Sequence, residues 1–79
     1  MLARVFITLK PGVLDPAGKA VEGSLHSLGF AGVQGVRLGK YLELTVDAQD
    51  AATGRAEVEA MCQKLLANTV VENYRVEIA

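Results

Sequence analysis

The chain has 79 residues, 51% of them hydrophobic, with no Trp and a formal net charge of -1, a composition that suits one globular domain over residues 1–79 and excludes a disordered one. A domain this small buries only about 60% of its unfolded surface and is marginal on its own, so association with other chains would supplement its stability. The near-neutral balance offers no general attraction to nucleic acid or to a membrane surface, and the single Cys62 forms no internal disulfide, so proteins are the expected partners and the cytoplasm the expected location.

The N-terminus alternates instead of running apolar, which is a strand and neither a signal peptide nor a membrane span. Over residues 3–10, Val5, Ile7 and Leu9 share one parity and Arg4, Thr8 and Lys10 the other, with Phe6 breaking the rule. Pro11 and Gly12 punctuate its end. Asp15 followed by Pro16 predicts a helix start, the Asp as N-cap and the Pro where a missing N–H costs nothing. Along that helix Ala17, Val21, Leu25 and Leu28 form an apolar stripe, and Gly29 stops it.

Val33, Val36 and Leu38 then precede Gly39 and Lys40, after which Leu42, Leu44 and Val46 alternate with Tyr41, Glu43 and Thr45, predicting two tightly joined strands. A polar stretch, residues 47–53, leads into a second helix with the stripe Val58, Met61, Cys62, Leu65 and Leu66, and Asn68 as its expected C-cap. Tyr74, Val76 and Ile78 alternate with Arg75 and Glu77 in a last strand. The order is βαββαβ, and the expected fold is α+β: a ferredoxin-like two-layer sandwich, an antiparallel four-stranded sheet with both helices on one face. Phe6 and Tyr41 have the parity of the opposite face, which makes them the candidates for self-association.

No catalytic constellation emerges. His26 falls near the solvent edge of its helix without an evident partner group, and Cys62 lies in an apolar stripe, where a thiol behaves as a small hydrophobe. The glycines form no phosphate-binding string, and the pairs Glu57 with Glu59 and Asp47 with Asp50 read as solvated surface. Arg37, Lys40 and Glu43 surround a strand connection, where they either grip an anion or partner protein or simply face water. The RNA-recognition reading of an aromatic sheet face lacks its aromatic, glycine-rich string. No metal-ligand spacing occurs, so catalytic, cofactor and metal residues are all expected to be none.

Three stretches together resemble the PurS family of phosphoribosylformylglycinamidine synthase subunits: L-K-P-G-V-L-D-P-A-G-K-A-V over residues 9–21, V-R-L-G-K-Y-L-E-L-T over 36–45, and C-Q-K-L-L-A-N-T-V-V-E-N-Y-R-V-E-I over 62–78. The resemblance implies a small non-catalytic subunit of de novo purine biosynthesis. It would work beside a glutaminase subunit and a larger synthetase subunit that together use ATP, magnesium and glutamine. It also implies a homodimer or tetramer that helps dock the glutaminase on the synthetase and supports ammonia transfer. Element ends supply the partner-contact candidates Lys10, Asp15, Arg37, Lys40 and Asn68, with helix capping as the plain alternative for Asp15. Two other readings compete: a stand-alone ferredoxin-like module that binds a regulatory small molecule, and a small acyl-phosphate hydrolase, for which Arg37 alone is insufficient.

Overall fold

A computed structural model describes every residue from Met1 to Ala79. Strand β1 (Leu2–Leu9) is followed by helix α1 (Pro16–Ser27), strand β2 (Gly39–Thr45), helix α2 (Ala51–Met61) and strand β3 (Glu72–Ile78). β1 is central in the order β2-β1-β3 and pairs antiparallel on both sides, with Val5 opposite Leu42 and Val76. The alternation read from the sequence decides which side is dry. Ala3, Val5 and Ile7 are buried, and with Val46, Val58, Cys62, Ala67 and Val76 they make the core under α2. Fully burying a side chain such as Ile7 or Val58 contributes about 1.5–3 kcal/mol.

The sheet has three strands, which corrects the expected four-stranded ferredoxin-like sandwich. Residues 33–38 form no ladder. Gly35 takes φ +70°, outside the pleated conformation, and the Val36 and Leu38 N–H groups donate to the carboxylates of Glu22 (3.1 Å) and Asp15 (3.0 Å). The segment is therefore strapped to α1 by side chains, where a strand neighbour was expected. His26 Nε2–H adds a bond to the Val33 carbonyl at 2.5 Å.

α1 does not cover the sheet as the second helix of a sandwich would. Gly18 is its only buried residue, and Val21 and Leu28 are exposed although they belong to its apolar stripe. α1 and residues 28–38 thus form an arm on a molecule measuring 50 × 25 × 14 Å. The arm carries Leu28, Phe30 and Leu38 at 73%, 56% and 46% exposure.

The second helix begins where Asp50 accepts a bond from the Thr53 N–H at 2.7 Å. Its end departs from a regular 3.6-residue repeat, since a π-helical turn, Cys62–Leu66, closes with the Ala67 N–H donating to the Cys62 carbonyl. The extra residue per turn shifts the stripe, leaving Cys62 buried and Leu65 83% exposed. The C-cap is Ala67, so Asn68 does not terminate the helix as expected. Instead, its side-chain oxygen accepts from the Val70 N–H, and its carbonyl accepts from Val71 and Glu72, forming the turn into β3.

Candidate functional site

The five residues singled out at element ends lie along one end of the sheet, where they are occupied with the protein's own backbone. Asp15 follows the turn after β1 and accepts from the Gly18 N–H at 2.9 Å and from the Leu38 N–H at 3.0 Å. It is both the N-cap of α1 and the clasp of the arm. These two bonds, Gly18 first, together with the Arg37 charge, hold its carboxyl below the ordinary value. Arg37 donates to the carbonyls of Leu9 and Lys10, tying the arm to the end of β1. Lys10 takes part through its backbone, its N–H donating to the Val71 carbonyl at 2.8 Å. Asp15 and Arg37 line a shallow groove of about 380 Å³ with Gly12, Val13, Leu14 and Lys19.

A second group sits beside them. Lys40 reaches the Glu72 carboxylate at 3.7 Å and the Leu66 carbonyl at 3.4 Å. Glu72 also accepts from the Asn68 N–H at 2.7 Å, so Lys40, Glu72 and Asn68 are linked in one exposed network. On the sheet face away from α2, Phe6 and Tyr41 are cross-strand partners with ring centroids 5.0 Å apart. The Arg75 guanidinium lies 4.2 Å from the Phe6 centroid, so part of this aromatic face is already covered by the chain's own cation.

Sequence reasoning missed Glu22, Arg55 and Arg75. Glu22 is half-buried, and the Val36 N–H is the largest cause of its lowered pKa, but acceptor and donor are fourteen residues apart with no local pattern joining them. Arg55 donates to the Val76 carbonyl at 2.6 Å, a backbone target invisible in sequence. Arg75 had a usable signal: it occupies the same strand parity as the apolar-outward positions and faces Phe6 once β1 and β3 are paired.

Two groups of chemical interest have ordinary surroundings. Burial, then the nearby Glu59 carboxylate, pushes the Cys62 thiol up, which disfavours its nucleophilic form. No three His, Cys, Asp or Glu side chains gather to hold a metal ion, and no helix is long and apolar enough to cross a membrane.

Asp15, Glu22 and Asp50 all have folded pKa values below their ordinary ones, each chiefly because a backbone N–H donates to the carboxylate. Such groups stabilise the fold above the ordinary carboxylate range, and the contribution disappears as pH falls through the depressed value. The melting temperature should therefore be level from pH 8 to pH 6 and drop below about pH 4.5. Melts followed by circular dichroism should show this, with a shallower acid drop for the double variant Asp15→Asn, Glu22→Gln. A main drop centred above pH 6 would contradict the assignment.

A three-stranded antiparallel sheet with β2 and β3 as its two edges, joined to an arm that carries exposed apolar residues, defines a small α+β protein. The comparisons agree with that class. A family model described as PurS, phosphoribosylformylglycinamidine (FGAM) synthase, matches residues 2–79, and the chain belongs to that family. It is 56% identical over 75 residues to the phosphoribosylformylglycinamidine synthase subunit PurS of Synechocystis, covering 95% of this chain and 75% of that one. Among solved structures, PurS of Bacillus subtilis aligns with a TM-score of 0.84 at 50% identity, covering 96% of this chain and 94% of that one. The structure of PurLQS from Thermotoga maritima contains a chain that aligns with a TM-score of 0.84 at 33% identity, covering 98% and 96%.

Proposed function

We propose that this chain is the small assembly subunit of a glutamine- and ATP-dependent formylglycinamidine ribonucleotide synthase in purine biosynthesis. The observation that carries the reading is full-length similarity to PurS, including the relative found in a PurLQS assembly. Its role is positional: it helps dock a glutaminase subunit on a synthetase subunit and so supports the passage of ammonia between them. ATP, magnesium and glutamine belong to the larger subunits in this scheme. This chain gathers no carboxylate cluster suited to a metal ion, and its charged groups at the sheet end bond to its own backbone.

Lys10, Asp15, Arg37, Lys40 and Asn68 are proposed to face the partner subunits from the sheet end, and Phe6 and Tyr41 to support homo-oligomers in the cytoplasm. Co-purification with tagged synthetase and glutaminase, with glutamine and nucleotide present, tests the docking role. Leaving this chain out should abolish glutamine-dependent synthesis while ammonia-dependent synthesis by the synthetase persists; unchanged glutamine-dependent synthesis would overturn the reading. The variants Arg37→Met and Lys40→Met should lower the affinity for the synthetase about tenfold, as loss of one charged contact does. Circular dichroism must show that the variants retain their fold.

A further inference from the structure

The arm, residues 13–38, is bound more firmly within itself than to the sheet. None of its residues belongs to the core, and Gly18, the one buried residue of α1, is covered by Asp15 and Val36, which are themselves residues of the arm. The Asp15 carboxylate takes the Gly18 and Leu38 N–H groups, Glu22 takes the Val36 N–H, and His26 bonds to the Val33 carbonyl. The ion pair of the arm, Lys19 with Glu22, is also internal. These bonds tie the two roots of the arm, residues 13–15 and 36–38, to each other and to the helix, so the arm is one body.

Its ties to the sheet are few. The chain enters the arm through Pro11 and Gly12, and Gly12 takes φ +86° with nothing within 4 Å of the place a Cβ would occupy. It returns at Gly39, which pairs with Thr8 and lies against the Ile7 carbonyl, so Leu38 is the last residue before the ladder. Lys10 belongs to the sheet, since its N–H donates to the Val71 carbonyl. Between these two points Arg37 is the only side chain of the arm that bonds to the sheet end, donating to the Leu9 carbonyl and, at 3.3 Å, to the Lys10 carbonyl. The two bodies do not pack around this neck. An open groove of about 300 Å³ separates Thr8 and Leu9 on the sheet from Asp15, Ala17 and Leu38 on the arm, and the groove lined by Arg37 and Lys19 opens beside it. A packed interface resists sliding through many small contacts; here the resistance comes from one guanidinium.

We infer that the arm swings as a rigid body about a hinge at Gly12 and Leu38, and that Arg37 is the latch that holds its resting angle. A planar guanidinium donating to two neighbouring carbonyls fixes an angle as well as a distance, which a single ammonium does not. The swing breaks no ladder bond and uncovers no core side chain, which places it among the least costly openings of the molecule. α1 spans about 18 Å, so a turn of about 20° at the root carries Leu28 and Phe30 at the tip through about 6 Å. Hinge movements, in which a few terminal residues absorb the dihedral change between two preserved bodies, occur in microseconds to milliseconds.

Nuclear magnetic resonance relaxation dispersion on the full-length chain without partner subunits reads the swing directly, so its outcome is separate from that of the omission experiment. The Gly12, Val13, Arg37 and Leu38 amides should share one conformational process with a single rate, while the Val5 and Val58 amides show none. In Arg37→Met the population of the displaced arm should rise about tenfold or more, as loss of a hydrogen bond from a charged group implies. Amide hydrogen exchange at Val36 and Leu38 should meanwhile stay as in the parent, because the Asp15 and Glu22 bonds are intact. Arg37→Lys, a point donor that reaches one carbonyl, should give an intermediate population. If Arg37 merely steadied the strap, Arg37→Met would instead speed hydrogen exchange at Val36 and Leu38 and leave the displaced population unchanged. That result would overturn the inference, as would a parent chain in which the root amides share no process. The parent measurement gives an answer even if the variants misfold.

Discussion

An Ile7→Ala chain is expected to lose about 2–5 kcal/mol of folding stability, the range for removing a large aliphatic side chain from a packed core. Ile7 is 1% exposed in the middle of β1, on the face that packs under α2 with Val5 and Val58. Neighbours on a three-stranded sheet have little freedom to collapse into the space, because β1 is held by ladders on both sides. At about 0.05–0.15 kcal/mol per residue, a chain of this length has only some 4–12 kcal/mol in total, so a large share would go. Leu65→Ala is the matched control. It removes an aliphatic side chain of the same size from the same apolar stripe that the sequence showed, but Leu65 is 83% exposed, and its loss should stay within about 0.5 kcal/mol. Urea titrations of the two variants against the parent measure both values. Equal losses would mean that the π-helical turn is absent in solution and that the regular stripe packs after all.

That comparison marks where the sequence was readable. Strand alternation gave β1, β2 and β3 because a half-buried strand leaves a period of two in the choice of residues, and Ala3, Val5 and Ile7 obey it. Asp15 was a sound helix start, since capping is local and the Gly18 donor lies within three residues; Asp50 caps the second helix in the same way, inside a stretch that was read only as polar. The π-helical turn left no such mark, because the stripe Val58, Met61, Cys62, Leu65, Leu66 fits a regular helix equally well. The fourth strand failed for a different reason. Val33, Val36 and Leu38 signal apolar residues in need of cover, yet the pattern does not say whether the cover comes from the same chain, and Glu22 and Asp15 capture the segment first.

The candidate site was legible in composition more than in role. Arg37 was identified as a charge at a strand connection, but its acceptors are the Leu9 and Lys10 carbonyls, 28 and 27 residues away, and backbone acceptors carry no sequence signature. Lys40 and Asn68 were singled out separately, and only the fold shows that Glu72 connects them. Phe6 and Tyr41 were placed on the outer face by parity alone, and the ladder sets them side by side as that parity required.

Gly18→Ala is expected to loosen the arm, although alanine is the better helix former. Within an exposed helix the exchange would stabilise by about 1 kcal/mol, since glycine gives up more backbone freedom on folding. Here the new Cβ would stand 2.5 Å from Asp15 Oδ2 and 2.5 Å from the Val36 carbonyl oxygen, and real Cβ atoms do not approach other atoms so closely. The carboxylate cannot rotate aside freely, because Oδ1 holds the Gly18 N–H and Oδ2 holds the Leu38 N–H. Nor can the Val36 carbonyl withdraw alone, since the adjoining N–H is fixed by Glu22. Overpacking of this kind typically costs about 1–3 kcal/mol, so the steric effect outweighs the gain in propensity. The loss should be local, because α1 lies off the sheet and the core under α2 contains no residue of the arm. Amide exchange at Val36 and Leu38 should accelerate about tenfold or more, while the Val5 and Arg75 amides, which bond within the ladders of β1, keep the protection of the parent. A Gly18→Ala chain with higher protection at Val36 and Leu38 would show that helix propensity prevails and that the clasp tolerates the extra methyl group.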